Sequence, residues 1–188
     1  MRLPRILPAP AVLAAAVIAV TVLAAGCGSD KTNTTTGGSS GPSGSGGSGG
    51  GCEVWVSGDQ GRKPEVTVPD CAAPTALQSK DLIAGSGNAV KAGDTVLVNY
   101  TLYGWQGRKL VQSSYDTGQP FPVQSVGNAQ VIAGWNQGLV GMKQGTRRLL
   151  VVPAPLGYGD QGTPDGSIRP NEALVFVIDA VSVTPAAR

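Results

Sequence analysis

The chain has 188 residues, is 41% hydrophobic and carries a formal net charge of +2 from 14 basic and 12 acidic residues. This composition supports one domain of ordinary size, and the near balance of charge argues against a nucleic-acid-binding surface. The absence of histidine excludes Ser-His-Asp and Cys-His catalysis and any His-bearing metal site. Because the three cysteines also lack C-x-x-C spacing, we expect neither a metal nor a cofactor.

Residues 1–26 have the pattern of a signal peptide, since Arg2 and Arg5 precede an uncharged run rich in Ala, Val, Ile and Leu. The run ends in Leu-Ala-Ala-Gly-Cys, which resembles a bacterial lipobox, although Ala24 stands where Leu is usual. We therefore predict that Cys27 is lipidated and anchors the protein to the cell membrane, outside the cytoplasm. The alternatives are a transmembrane anchor or an ordinary secretory peptide, and the latter would leave the protein secreted.

Residues 27–51 follow as a lipidated cysteine and a stretch rich in Gly, Ser and Thr. Such a stretch has too little apolar surface to offset the entropy of ordering, so it is predicted to be a flexible linker. A random coil of this length spans about 27 Å, which would hold the following domain away from the lipid.

Residues 52–80 are predicted to form an N-terminal extension that contains a hairpin. Two alternating segments, Glu53–Ser57 and Glu65–Val68, flank the turn-rich sequence GDQGRKP. Cys52 and Cys71 bracket this hairpin, and a disulfide between them would suit an exported protein. The alternative is a pair of free, buried cysteines.

Two longer segments alternate between apolar and other residues, which is typical of half-buried antiparallel strands. The first carries Val96, Val98, Tyr100 and Leu102 on one face, and the closing segment Ala173–Val183 carries Leu174, Phe176, Ile178 and Ala180. Between them, Ile132, Trp135, Leu139 and Met142 share one face of a short predicted helix, which ends at Gly145 and leads into an apolar strand. The pattern predicts an α+β domain in which a twisted antiparallel sheet wraps over one short helix.

Four runs carry a resemblance to a known family. They are GDTVLVNYTLYGWQGRKLVQSSYDTGQPF, VIAGWNQGLVGMKQG, LLVVPAPLGYGDQG and IRPNEALVFVIDAVSV. Together they resemble an FKBP-type peptidyl-prolyl cis-trans isomerase in a bacterial exported lipoprotein form, over residues 81–184. The resemblance implies an enzyme that lowers the barrier to X–Pro rotation and assists the folding of exported proteins.

The resemblance also implies a site. Trp135 would be the floor of an apolar pocket, and the backbone N–H of Ile132 and the hydroxyl of Tyr158 would donate hydrogen bonds to peptide carbonyls. The implied walls are Tyr100, Phe121, Val131, Ile132, Ile168 and Phe176. The implied partners are proline-containing segments of exported proteins and, in addition, macrolide ligands.

Two residues depart from the family pattern Gly-x-x-Phe-Asp-Ser-Ser. Val111 and Gln112 stand at the Phe and Asp positions, with one extra residue in the turn before them. We expect a pocket that is wider and less polar on this side. The changes leave an alternative function open, in which an FKBP-like chaperone or peptide-binding module has weak or no isomerase activity.

Overall fold

The computed structural model describes residues 52–187. The predicted signal peptide, Cys27 and the whole of the predicted linker lie outside this range. Among the described residues, no helix combines the length and the apolar character that a membrane span requires.

Eight strands, one α-helix and two short 3₁₀ helices make up the regular structure of residues 52–187. The strands are β1 Trp55–Ser57, β2 Glu65–Thr67, β3 Gln78–Ile83, β4 Thr95–Gly104, β5 Leu110–Ser113, β6 Phe121–Val123, β7 Arg147–Val152 and β8 Leu174–Thr184. The α-helix, α1, is Ala133–Gly138, and the 3₁₀ helices are Ser114–Asp116 and Ala154–Leu156.

Six of these strands form one antiparallel sheet in the order β3-β7-β8-β4-β5, with β6 also paired to β4. The central pair, β4 and β8, runs from Thr95 opposite Thr184 to Gly104 opposite Leu174. With one short helix packed against this sheet, the predicted α+β class is confirmed.

The sheet face toward α1 carries the predicted apolar residues. The four alternating residues of β4, the four of β8, and Trp135, Leu139 and Met142 of the helical segment all belong to one buried cluster. The regular helix is shorter than its apolar pattern suggests, because it ends at Gly138 and Gly141 adopts a φ of 81°. Leu139 and Met142 are nevertheless completely buried.

The opposite face of the sheet is also buried, which the sequence pattern did not indicate. The predicted hairpin is present as β1 paired with β2. Its flanking residues Val54 and Val68 pack with Val151, Val175 and Val177 in a second apolar cluster. All six residues of β7 are therefore buried, and so are Leu174 to Ala180 of β8. The alternation predicted that β8 is half-buried. From Leu174 to Ala180, however, both faces of β8 are covered.

The extension is closed by a disulfide and fixed to the rest of the domain near Cys71. Cys52 and Cys71 form a disulfide with Cα atoms 5.9 Å apart. The indole N–H of Trp105, at the end of β4, donates to the Cys71 carbonyl at 2.9 Å, and Arg108 pairs with Asp70 at 2.6 Å. The extension thus contacts the β4–β5 connection directly.

The loop between β1 and β2 lies over a buried ion pair. The Arg147 guanidinium contacts both carboxylate oxygens of Asp179, at 2.6 and 2.7 Å. It also donates to the carbonyls of Gly58 and Arg62, at 2.7 and 2.8 Å. The Tyr115 hydroxyl donates to the same carboxylate. Both charges of the pair are thus extensively hydrogen-bonded, as burial of a charge requires.

Candidate functional site

An aromatic cluster forms the centre of the candidate site. The ring centroid of Trp135 lies 5.3 Å from those of Tyr100 and Phe176 and 6.0 Å from that of Phe121. All three contacts are edge-to-face, with interplanar angles of 75–85°, an arrangement that aromatic quadrupoles favour. Trp135 is thus surrounded by rings from β4, β6 and β8, so its orientation is fixed by packing.

The position of Trp135 depends on a close approach between α1 and β7. A Cβ atom on Gly134 would overlap the side chain of Val152, and one on Gly138 would overlap Leu150. The absence of a Cβ at these glycines therefore allows the helix to pack directly on the sheet, at a cost in helix propensity of about 1 kcal/mol each relative to Ala. The sequence shows the glycines, but their packing role becomes clear only in the structure.

A cavity of about 260 Å³ opens above this cluster. Its lining includes eight of the ten predicted pocket residues: Tyr100, Gln112, Phe121, Val131, Ile132, Trp135, Tyr158 and Phe176. Leu102 and Gln130 complete the lining and were not singled out from the sequence. The alternation of β4 could have indicated Leu102, which shares a face with Tyr100, whereas no signal marked Gln130.

Val111 and Ile168 are the two predicted residues that do not line the cavity. In β5, Gln112 lies opposite Leu102 and Leu110 lies opposite Tyr103, so Val111 is the extra residue of a β-bulge. The extra residue that we placed in the turn is thus absorbed within the strand, and Val111 lines a separate concavity near Glu172. Ile168 is 3% exposed and belongs to the apolar core. It supports the cavity from within and does not form its wall.

The two cavity donors that the family resemblance implies have no acceptor within residues 52–187. The Ile132 backbone N–H is one of them, because Ile132 precedes α1 and only its carbonyl is used, by Trp135 at 3.0 Å and by Asn136 at 3.3 Å. The Tyr158 hydroxyl is the other, on a side chain that is 41% exposed. Both groups can therefore donate a hydrogen bond to a ligand without breaking an internal one.

The loop that carries Tyr158 is fixed by its own backbone. The Gly159 N–H donates to the Ala154 carbonyl at 2.8 Å, and the Gly159 carbonyl accepts from Asn171 at 2.8 Å. Gly159 adopts a φ of 61°, a conformation that glycine reaches without steric penalty. The hydroxyl of Tyr158 is thus presented by an ordered loop.

The cavity is electrically neutral. Its lining contains no Asp, Glu, Lys or Arg, and its ionisable groups are the phenols of Tyr100 and Tyr158. Burial raises the pKa of Tyr100 above its usual value, and the nearby Tyr158 raises that pKa further. Both the composition and this shift keep charge out of the cavity, so the site is unsuited to proton transfer or nucleophilic attack at neutral pH.

Asn136, which the sequence reasoning did not identify, organises the wall beside the cavity. From α1 its side-chain oxygen accepts from the N–H groups of Gly127 and Ala129, both at 2.9 Å. Its amide nitrogen donates to the Ala129 carbonyl at 3.0 Å. The helix that positions Trp135 therefore also positions the segment leading to Val131.

Comparisons with known proteins agree on one family. Residues 86–181 match the model of the FKBP-type peptidyl-prolyl cis-trans isomerases. The chain is 44% identical over 121 residues to an FK506-binding protein of Streptomyces anulatus, covering 64% of this chain and 97% of that protein. It is 43% identical over 113 residues to the peptidyl-prolyl cis-trans isomerase Mip of Coxiella burnetii, covering 57% and 44% respectively.

The fold is also similar to a solved structure. The crystal structure of FkpA from Escherichia coli superposes with a TM-score of 0.53 at 39% sequence identity. The match covers 60% of this chain and 50% of that one. The sequence and the three-dimensional arrangement therefore lead to the same group of proteins.

Proposed function

This chain belongs to the family of FKBP-type peptidyl-prolyl cis-trans isomerases, and from that premise we propose that it acts on exported proteins while tethered to the outer face of the cell membrane. It is an isomerase of this class and binds proline-containing peptide segments. The proposal concerns the roles of its own residues and its place of action.

The chemistry of the reaction favours an apolar, neutral site. Rotation about the X–Pro bond removes amide resonance and faces a barrier of about 18–20 kcal/mol. The twisted state carries less charge separation than the planar one, so transfer into an apolar cavity disfavours the planar ground state relative to the transition state. The cavity over Trp135, with no charged side chain in its lining, is the observation that carries the proposal.

We assign roles to the cavity residues on this basis. The proline ring packs on Trp135 between the rings of Tyr100, Phe121 and Phe176, which exclude water from the rotating bond. The Ile132 N–H and the Tyr158 hydroxyl donate hydrogen bonds to carbonyls of the bound peptide. Each of these donors is without an internal acceptor in the described range, so binding gains a hydrogen bond in each case.

The rate should not depend on pH near neutrality. The lining contains no carboxylate, amine, guanidinium or imidazole, and burial raises the pKa of Tyr100 above its usual value near 10. A raised pKa keeps the phenol protonated, so its neutral form is lost only above pH 10. We expect kcat/KM to vary by less than about twofold between about pH 5 and 9. A bell-shaped profile centred near neutrality would show that a titrating group takes part.

The place of action follows from the N-terminal sequence. We propose that Cys27 is lipidated and that the linker to residue 51 lets the isomerase domain reach about 27 Å from the membrane. In a bacterial host, the natural chain should be recovered in the membrane fraction. The Cys27→Ala variant should not be labelled with lipid, and it should be recovered either as a soluble protein or with its signal peptide uncleaved. If Cys27→Ala is labelled and partitions like the natural chain, the lipid anchor is wrong.

We also propose that macrolide ligands compete with peptides for this cavity. The relative from Streptomyces anulatus is named an FK506-binding protein, and the cavity lining of this chain contains the aromatic cluster described above. Gln112 stands where the family pattern has an Asp, and a neutral amide forms weaker hydrogen bonds than a carboxylate. We therefore expect macrolide affinity to be lower than in relatives that carry the Asp.

A further inference from the structure

A second groove adjoins the cavity. It has a volume of about 580 Å³ and is lined by residues 121–125 and 128–131. Phe121, Gln130 and Val131 line both the groove and the cavity, so the two are directly adjacent.

The groove is preformed. Its wall is the segment that Asn136 holds through Gly127 and Ala129. The Val126 N–H at its base donates to the Asp94 carbonyl at 3.0 Å. Because Asn136 lies next to Trp135 on α1, one helix sets both the floor of the cavity and the wall of the groove.

The lining of the groove is neutral and offers unused hydrogen-bonding groups. Gln124, Ser125 and Asn128 are exposed, and their side chains form no hydrogen bond within residues 52–187. Phe121 adds an apolar surface that is 41% exposed. A peptide carries N–H and C=O groups along its length, and these match amide and hydroxyl side chains without any need for charge.

Strand addition at this edge is disfavoured. Among the described strands, β6 pairs with β4 alone, so its other edge is open. Pro122 in the middle of β6 has no N–H to donate and is typical of edges that resist pairing. A peptide at this edge would therefore be bound through the side chains of the groove.

We propose that this groove binds the residues that flank the isomerised proline, so that the enzyme holds an extended, uncharged segment of its substrate. The proposal rests on the function proposed above, since it assumes that the proline occupies the adjoining cavity. It predicts that flanking residues raise the efficiency of turnover and that salt does not alter this gain, because no ion pair contributes to it.

Peptides of two lengths test the proposal. A four-residue X–Pro peptide is compared with peptides lengthened by five neutral residues before or after the proline, using the full chain. For the peptide lengthened before the proline, the one lengthened after it, or both, we expect kcat/KM to be about three- to tenfold higher than for the short peptide. A gain of this size corresponds to about two neutral hydrogen bonds. In the variant Gln124→Ala/Asn128→Ala this ratio should fall to near one. The exposed control Asn88→Ala should keep it.

The outcomes separate the two proposals. If the natural chain does not accelerate the short peptide, the proposed function fails. If it accelerates short and long peptides equally, or if the double variant keeps the gain, the groove proposal is overturned. A spin label at the far end of the favoured long peptide provides direct evidence. It should broaden the amide signal of Ala129 and leave that of Asn88 sharp, and the reverse result would also overturn the proposal.

Discussion

Replacing Trp135 by Leu should lower kcat/KM for X–Pro peptides about 100-fold, which corresponds to about 2.7 kcal/mol of transition-state stabilisation. The indole is in edge-to-face contact with Tyr100, Phe121 and Phe176. Its loss removes the floor on which the proline ring packs and admits water to the cavity. We expect the folded domain to persist, with stability lowered by about 2–4 kcal/mol.

The chain offers a matched control for this substitution. Trp55 on β1 is 71% exposed and belongs to the extension. Trp55→Leu should leave kcat/KM within about twofold of the natural value, as expected for a surface substitution away from the site. Equal losses in the two variants, or none in Trp135→Leu, would show that the cavity is not where rotation is catalysed.

The substitution Asp179→Asn should reduce the free energy of unfolding by about 3–5 kcal/mol. The side chains of Arg147 and Asp179 are 1% and 4% exposed, so the substitution would leave a guanidinium buried without a counter-charge. The carboxylate is also the acceptor of the Tyr115 hydroxyl and of the Gly61 N–H at 3.1 Å. Its loss therefore weakens the docking of the extension as well as the ion pair.

A surface pair gives the comparison for this prediction. Lys63 and Asp116 contact each other at 2.6 Å, but their side chains are 37% and 54% exposed. Asp116→Asn should cost less than about 1 kcal/mol in urea unfolding, because exposed pairs are screened by solvent. If both variants unfold at the same urea concentration, the buried pair does not have the structural role that its geometry indicates.

The sequence predicted best where local pattern and burial coincide. The alternation of Val96, Val98, Tyr100 and Leu102 follows from the period of two in a strand, and these residues do face the core. The apolar spacing of Trp135, Leu139 and Met142 likewise indicated their burial. The cavity residues came from the family resemblance, because periodicity alone does not separate a pocket wall from a core residue.

The sequence could not indicate features that arise between distant segments. The burial of Arg147 and of the second face of β8 depends on the hairpin more than 80 residues earlier in the chain. The displacement of Val111 from the cavity depends on a register shift between β4 and β5, which no local pattern marks. In the sequence, Asn136 has no feature that distinguishes it from other polar helix residues. Its hydrogen bonds to the facing loop are evident only in the structure.

The most direct test is the rate of cis-trans exchange of X–Pro peptides with the full chain, measured by NMR exchange or in a protease-coupled assay, beside Trp135→Leu and Gln112→Asp. Clear acceleration by the natural chain, lost in Trp135→Leu, is the predicted result and places catalysis in the neutral cavity. If the natural chain is inert while Gln112→Asp is active, the account is contradicted. The fold would then serve to bind proline-containing segments without turning them over.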